Sequence, residues 1–387
     1  MRMCRTLVYI GAYSDAVGEG IYPFRFDLAT GALSPAGEPV ALANPSYLAL
    51  RPDGRRLYAV METARYAGAP GTGVPETGVP GGGVAAFGVD KAGALTFLNA
   101  QPTGGADPCY LSVNRAGSLL LCANYTGGSM AVFPLAGDGT ILPRCELARH
   151  AGSGPVAGRQ EGPHVHFTDF TPGEEYAFAV DLGIDAVRFY RLDQSTGRAQ
   201  ALSEPEIRLR PGSGPRHMAF CPQKRTAYLI TELSCEIVTF ACTENFRFTP
   251  VQTVSTLPEG VPLGENSAAA LHLSPDGGTL YASTRGHDSI AVFRAGETGL
   301  LEPRGCFPSG GNGPRDFALA PGGKFLLAAN EKSGTVDTLR VDPESGALSP
   351  TGLSVRIYRP SCVRFFAARG GCKGAPLYGK RGCCKMD

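Results

Sequence analysis

Pro45-Ser46-Tyr47-Leu48-Ala49-Leu50-Arg51-Pro52-Asp53-Gly54, followed by Leu57-Tyr58-Ala59-Val60, is the unit from which the chain is built. Apolar and polar residues alternate up to a Pro-Asp-Gly turn, and an apolar run leads out of it. Alternation of period two puts one face of a strand in a core, and Pro, Asp and Gly each favour the reversal that follows. Related units start at Pro108, Pro163 (with a two-residue insertion), Pro215, Ala268, Pro314 and Pro360. The steps run from 46 residues (314 to 360) to 63 (45 to 108). Self-similarity at this period marks an array of small β units rather than separate domains.

Two more strands follow in each unit. Met130-Ala131-Val132-Phe133 and Ile290-Ala291-Val292-Phe293 read as third strands, and fourth strands follow Gly-x-Leu turns such as Gly346-Ala347-Leu348. Four strands make one propeller blade. Six units are complete. The seventh contributes one strand, Ser361 to Phe366, while the N-terminus supplies three, at Leu7 to Ala12, Ile21 to Phe26 and from Leu33 onward. The expected fold is therefore all-β: a seven-bladed propeller of four-stranded antiparallel blades, whose last blade is closed by both chain ends. Such closure removes the free sheet edges that invite aggregation. Residues 1–366 read as this single domain. The Gly/Pro-rich segment from Arg65 to Gly83 reads as a flexible surface loop, with a lid as the alternative. The tail 367–387, with Cys372, Cys383, Cys384 and five Lys or Arg, reads as disordered.

Composition narrows the function. Net charge is +1 and only 18% of residues are charged, with no basic stripe along the blades, so neither nucleic acid nor a membrane surface is the expected partner. No apolar run is long enough to span a bilayer, and Met1-Arg2-Met3-Cys4-Arg5 does not open a secretion signal. The 12 cysteines then read as reduced thiols of a cytoplasmic protein, Cys109, Cys122, Cys221 and Cys362 as small core residues. A small molecule is the expected partner, no cofactor is implied, and a closed propeller is expected to be a monomer.

Aligning the units on their turns produces two columns. Just after the starting Pro stand Ser46, Cys109, His166, Arg216, Ala269, Arg315 and Ser361. At the end of the second strand stand Glu62, Tyr125, Leu182, Glu232, Arg285 and Glu331, preceded in three units by Asn124, Asp181 and Asn330. Innermost strands of a propeller face its channel, so equivalent strand ends ring one mouth. Filler would suffice there. His166, Arg216, Glu232, Arg285 and Arg315 are instead brought into register, with His164 and His217 beside them.

Clustered arginines bind an anion through charge-assisted, bidentate hydrogen bonds. A histidine or carboxylate among them can take a proton from water, and an arginine or histidine N–H can stabilise an oxyanion. That combination suits hydrolysis of an anionic ester or lactone. No Gly-x-Ser-x-Gly nucleophile elbow is present. His164-x-His166 with Asp169 or Asp181 offers metal-type ligands, but no third ligand has a recognisable spacing, and the site is read as metal-free. In a regular strand His164 and His166 point to opposite faces unless the insertion bulges the strand.

Asn44-Pro45-Ser46-Tyr47, Ala123-Asn124-Tyr125, Arg159-Gln160-Glu161 with Pro163-His164-Val165-His166, Asp181-Leu182-Gly183-Ile184-Asp185, Gly214-Pro215-Arg216-His217 and Glu232-Leu233 together make the chain resemble the seven-bladed propeller lactonases. That group includes 6-phosphogluconolactonases and fungal carboxymuconate lactonizing enzymes. The resemblance implies hydrolysis of 6-phosphogluconolactone to 6-phosphogluconate in the oxidative pentose phosphate route. It places the family's catalytic residues on His166, Arg216, Glu232 and Arg285. Glu62, Asn124, His164, Asp181, His217, Arg315 and Asn330 are the candidates for substrate binding. A lactonase or cycloisomerase for a non-phosphorylated carboxylate is the alternative enzyme. A non-catalytic scaffold is disfavoured by the charged columns and by the absence of Trp-Asp signatures in a chain with no Trp.

Overall fold

The computed structural model describes residues 5–15, 17–68, 78–243 and 246–366. Each complete unit forms one antiparallel sheet in chain order from the axis outward. In the third blade these are Val165–Phe170, Tyr176–Asp181, Ala186–Leu192 and Ala199–Arg208. The innermost strands touch in sequence: Leu48–Leu50, Pro108–Val113, Val165–Phe170, Pro215–Cys221, Ser267–Leu273, Pro314–Leu319, Pro360–Phe366, and back to Leu48–Leu50. Seven blades thus close into one ring, as the repeat predicts. Among the described residues the only helical element is the short 3-10 turn Pro222–Lys224.

The closing blade runs Leu33–Pro35, Glu19–Asp27, Arg5–Ala12, Pro360–Phe366, with Val40–Ala41 also pairing the second of these. One strand comes from the C-terminal side and the rest from the N-terminal side, as expected. Arg5–Ala12 pairs Pro360–Phe366 from Leu7↔Phe366 to Ala12↔Pro360. Gly11 allows this blade to pack against the first, because a Cβ there would lie 2.4 Å from the Pro45 carbonyl oxygen.

Apolar faces meet between blades, so the core is a set of wedges rather than one sphere. Val8, Ile10, Phe26 and Phe365 of the closing blade pack against Phe325, Leu327 and Ala329 of the sixth. Phe167, Phe178 and Phe189 of the third pack against Met218, Ala227 and Leu229 of the fourth. Burying such side chains contributes about 1.5–3 kcal/mol each. Cys109, Cys122, Cys221 and Cys362 are buried free thiols, in keeping with their reading as small core residues. Arg65–Tyr66 pairs Val79–Pro80 at the base of the Gly/Pro segment. The middle of that segment and the cysteine-bearing tail lie outside the described residues.

Candidate active site

The innermost strands share an irregularity that builds the site. Register breaks between Pro108 and Tyr110, Val165 and Phe167, Pro215 and His217, Pro314 and Asp316, and at the Ala12↔Pro360 end of the closing blade. The residues left without a cross-strand partner are Cys109, His166, Arg216, Arg315 and Ser361, with Ala269 in the corresponding break of the fifth blade. A β-bulge kinks its strand and re-aims one side chain. Here it turns a whole column of side chains toward the axis. Ser46, Cys109, His166, Arg216, Arg315 and Ser361 line one cavity on the axis with Tyr47, His217 and Asp316.

The second ring sits at the strand ends. Pairings such as Asn124↔Ser129, Thr231↔Glu236, Thr284↔Ser289 and Asn330↔Thr335 set Tyr125, Glu232, Arg285 and Glu331 at equivalent positions. The closing blade adds Tyr13, the residue after Arg5–Ala12. Tyr13 was absent from the aligned columns because the N-terminal half of that blade has no Pro-Asp-Gly turn to align on.

Glu232 is the hub of one side of the mouth. It is 4% exposed, and Arg216 Nε donates to its Oε2 at 3.0 Å. Arg285 Nη2 lies 3.1 Å from the same oxygen, and Arg159 Nη2 donates to Oε1. Burial alone would raise this carboxyl, but the Arg285, Arg216 and Arg159 guanidiniums outweigh it and hold Glu232 well below the usual carboxylate range. Burial and the neighbouring Arg285 bring the Arg216 guanidinium down to about 10, against the opposing pull of Glu232. His166 is buried, with Arg216 and Arg315 nearby, and both effects keep its imidazole neutral. Its Nδ1 lies 3.9 Å from Cys109 Sγ, a thiol that burial raises far above its ordinary range and so leaves inert as a nucleophile.

The opposite side is built from the first, sixth and closing blades. Ser46 Oγ donates to Glu62 Oε2, and Tyr13 O–H donates to Glu62 Oε1 at 3.0 Å. Arg315 lies 3.5 Å from Glu331, which also binds Arg359 at 2.9 Å, and both guanidiniums lie over the Tyr13 ring. Ser361 Oγ donates to the Ser46 carbonyl at 2.9 Å, tying the closing strand to the cavity wall. Beneath the cavity, Asp316 accepts from Arg364 at 2.8 Å and from His272 at 2.9 Å, and the Arg364 guanidinium lies over Tyr47. Asp316 and Tyr47 are buried there, with Arg364 and His272 partly exposed.

The structure thus brings His166, Arg216, Glu232, Arg285, Arg315 and Glu62 together. His217 lies behind Arg216, whose Nη1 donates to its Nε2 at 3.0 Å. His164 precedes the bulged strand, stacked on Tyr125 with centroids 4.5 Å apart, at the rim. Tyr125 also meets His166 edge to face with centroids 5.5 Å apart, so the bulge brings both histidines against one ring, with His166 lining the axial cavity and His164 outside it. Asn124, Asp181 and Asn330 are not brought to the cavity. All three are fully buried inside their blades. Asn124 donates to Ser129 and Asn330 to Ser309 and Asp337. Asp181 accepts from the His164 and Gly183 amides and from His150. A strand-end residue and the residue before it point to opposite faces, so only one of each pair reaches the mouth. Arg159, which the columns do not contain, arrives on the 151–163 loop, a stretch outside the repeat.

Comparison with known proteins agrees with this architecture. The family description "Lactonase, 7-bladed beta-propeller" matches residues 7–365. A 6-phosphogluconolactonase of Bacillus subtilis is 37% identical, covering 94% of this chain and 99% of that protein. One from Formosa agariphila is 31% identical, over 93% and 99% respectively. The solved structure of a periplasmic gluconolactonase of Pseudomonas aeruginosa superposes with a TM-score of 0.84 at 35% identity, covering 94% of this chain and 99% of that one. With blades, closure and sequence in agreement over nearly its whole length, the chain belongs to the seven-bladed β-propeller lactonases.

Proposed function

We propose that the chain hydrolyses 6-phosphogluconolactone to 6-phosphogluconate, serving the oxidative pentose phosphate route in the cytoplasm as a monomer. The observation that carries this reading is the excess of guanidinium groups around the cavity. Arg159, Arg216 and Arg285 all converge on the single carboxylate of Glu232, and Arg315 faces them from the sixth blade. One carboxylate cannot neutralise three cations, so the site retains positive charge for an anionic substrate. A sugar phosphate supplies it, and planar guanidinium forks match phosphate and carboxylate geometry. The names of the Bacillus and Formosa relatives point to the same lactone. The described cysteines are all free, as suits a reducing compartment.

In this reading the lactone carbonyl lies against Arg216 and the neutral His166, whose N–H groups stabilise the oxyanion as water adds. Arg285 and Arg315 hold the phosphate end. Glu232 keeps Arg216 and Arg285 aimed. The likeness to a gluconolactonase favours a second reading, in which a non-phosphorylated lactone binds in the same ring. The test is a coupled assay. 6-Phosphogluconolactone is generated enzymatically and proton release is followed at pH 7 for wild type and His166→Ala, with glucono-δ-lactone run in parallel. The proposal expects acceleration over spontaneous opening by wild type and a loss of roughly 100-fold or more in the variant. No acceleration by wild type overturns it.

A further inference from the structure

Four groups at the mouth are candidates to take the proton from water, and their surroundings differ sharply. Glu232 is held by three guanidiniums and Glu331 by two. A carboxylate stabilised in this way is a weak base, since each cation favours its ionised form. His166 sits among Arg216 and Arg315, so protonating it would add a cation to a cationic wall. Glu62 is the exception. Its two oxygens accept from the neutral hydroxyls of Ser46 and Tyr13, and among the described residues it forms no salt bridge with a Lys or Arg. It is half-buried beside the cavity, whose wall includes Ser46, and it stands three blades from Glu232 around the ring.

We infer that Glu62 is the general base of the lactonase reaction, with Ser46 and Tyr13 as the residues that orient its carboxylate. This rests on the hydrolytic reading above. The ring gains a division of labour: Arg216, Arg285 and Arg315 hold the anion and the oxyanion, and Glu62 delivers water from across the channel from Glu232. One proton of the water passes to Glu62 as its oxygen bonds to the lactone carbonyl carbon, and the carbonyl oxygen takes the negative charge. As the tetrahedral adduct collapses, the ring C–O bond breaks and the ring oxygen takes that proton from Glu62. The product acid ionises, which gives the one proton per turnover that the assay follows. Burial raises the Glu62 carboxyl above its ordinary value even against Arg315, Ser46 and Tyr13, which brings it toward working pH.

The experiment is a pH–rate profile of kcat/KM on enzymatically generated 6-phosphogluconolactone, run between pH 4.5 and pH 7.5 for wild type, Glu62→Gln, Tyr13→Phe and Glu232→Gln. Wild type should show an acid limb with an apparent pKa above that of an ordinary glutamate. Glu62→Gln should lose roughly 100-fold or more in kcat with little change in KM, and should lose the limb. Tyr13→Phe removes a donor to the ionised form, so its limb should move to higher pH. Glu232→Gln should raise KM while the limb stays in place. Melting curves show that each variant is folded, and a Glu62→Asp variant takes the place of any that is not. If folded Glu62→Gln keeps its turnover and its limb, the assignment is overturned while the lactonase reading stands. If wild type itself fails to outpace spontaneous hydrolysis, both fall.

Discussion

Arg285 is half-buried, binds the Ala268 carbonyl at 3.1 Å and lies 3.1 Å from Glu232, so it links the fifth blade to the proposed anion site. Arg285→Ala should lower kcat/KM for the phosphorylated lactone by roughly 100-fold, mostly through KM, with little loss of melting temperature. Steady-state kinetics and a thermal melt check this, and unchanged KM and kcat would remove Arg285 from the clamp. A second residue bears on stability instead. Asp169 lies on the innermost strand of the third blade, and burial raises its carboxyl from 3.8 to about 7. A folded pKa above the unfolded one favours the protonated fold. Stability from this group is therefore full below the unfolded value and lost as pH rises toward 7. Asp169→Asn should melt higher than wild type at pH 8, by roughly 2–4 °C for each kcal/mol relieved, and no higher at pH 4. At this scale the sequence was legible where a column repeated. His166, Arg216, Glu232, Arg285 and Arg315 share positions across blades, and register alone assembles them. Arg159 and Tyr13 escaped that reading because one sits on an unrepeated loop and the other on a strand with no turn to align on.

The element that carries the candidate site is the bulged innermost strand. In the third blade it is anchored by a buried chain: Tyr190 O–H, His150, Asp181, and then the amides of His164 and Gly183. His150 bridges Tyr190 at 2.7 Å and Asp181 at 2.6 Å, and Asp181 Oδ1 accepts from His164 N at 2.7 Å. Asp181→Ala leaves those amides and the imidazole without an acceptor inside the blade. Orphaning buried donors costs about 1–3 kcal/mol each. The variant should lose several degrees of melting temperature and, because the His164–His166 entry is no longer held, part of its kcat as well. A variant as stable and as active as wild type would show that the anchor is dispensable. Sequence spacing could say only that His164 and His166 point apart unless the strand bulges. The bulge depends on unpaired backbone and on side chains buried from three strands, which no local pattern records. The same limit explains Asn124, Asp181 and Asn330. Their place beside the mouth was readable, whereas the face on which each side chain lies follows from strand pairing.

Among the described residues the molecule is a ring in which Arg5–Ala12 and Pro360–Phe366 meet beside the site. Tyr13 and Arg359 come from either side of the closure, and Ser361 bonds the Ser46 carbonyl next to Glu62. Closure and site geometry are therefore coupled. Phe365 meets Phe26 edge to face with centroids 5.2 Å apart and packs in the wedge against the sixth blade. Phe365→Ala should cost about 3–5 kcal/mol and lower activity near its melting temperature before the sheets themselves are lost. Parallel circular dichroism and activity melts read this, and coincident curves would mean that the closing blade and site do not give way before the rest of the ring. Seven units with the last split between the termini were legible from the repeated Pro-led strands, their Gly-containing turns and the apolar strands at both termini, because repetition states the architecture many times over. Which lactone enters was less legible, since phosphate and carboxylate ask for the same guanidinium forks. The most direct measurement is therefore kcat/KM for 6-phosphogluconolactone against glucono-δ-lactone, corrected for spontaneous opening, in wild type and Arg285→Ala. The account predicts clear acceleration by wild type, a preference of roughly 100-fold or more for the phosphorylated lactone, and a collapse of that preference in the variant. Equal rates on both lactones, or no rate above the spontaneous one, would contradict it.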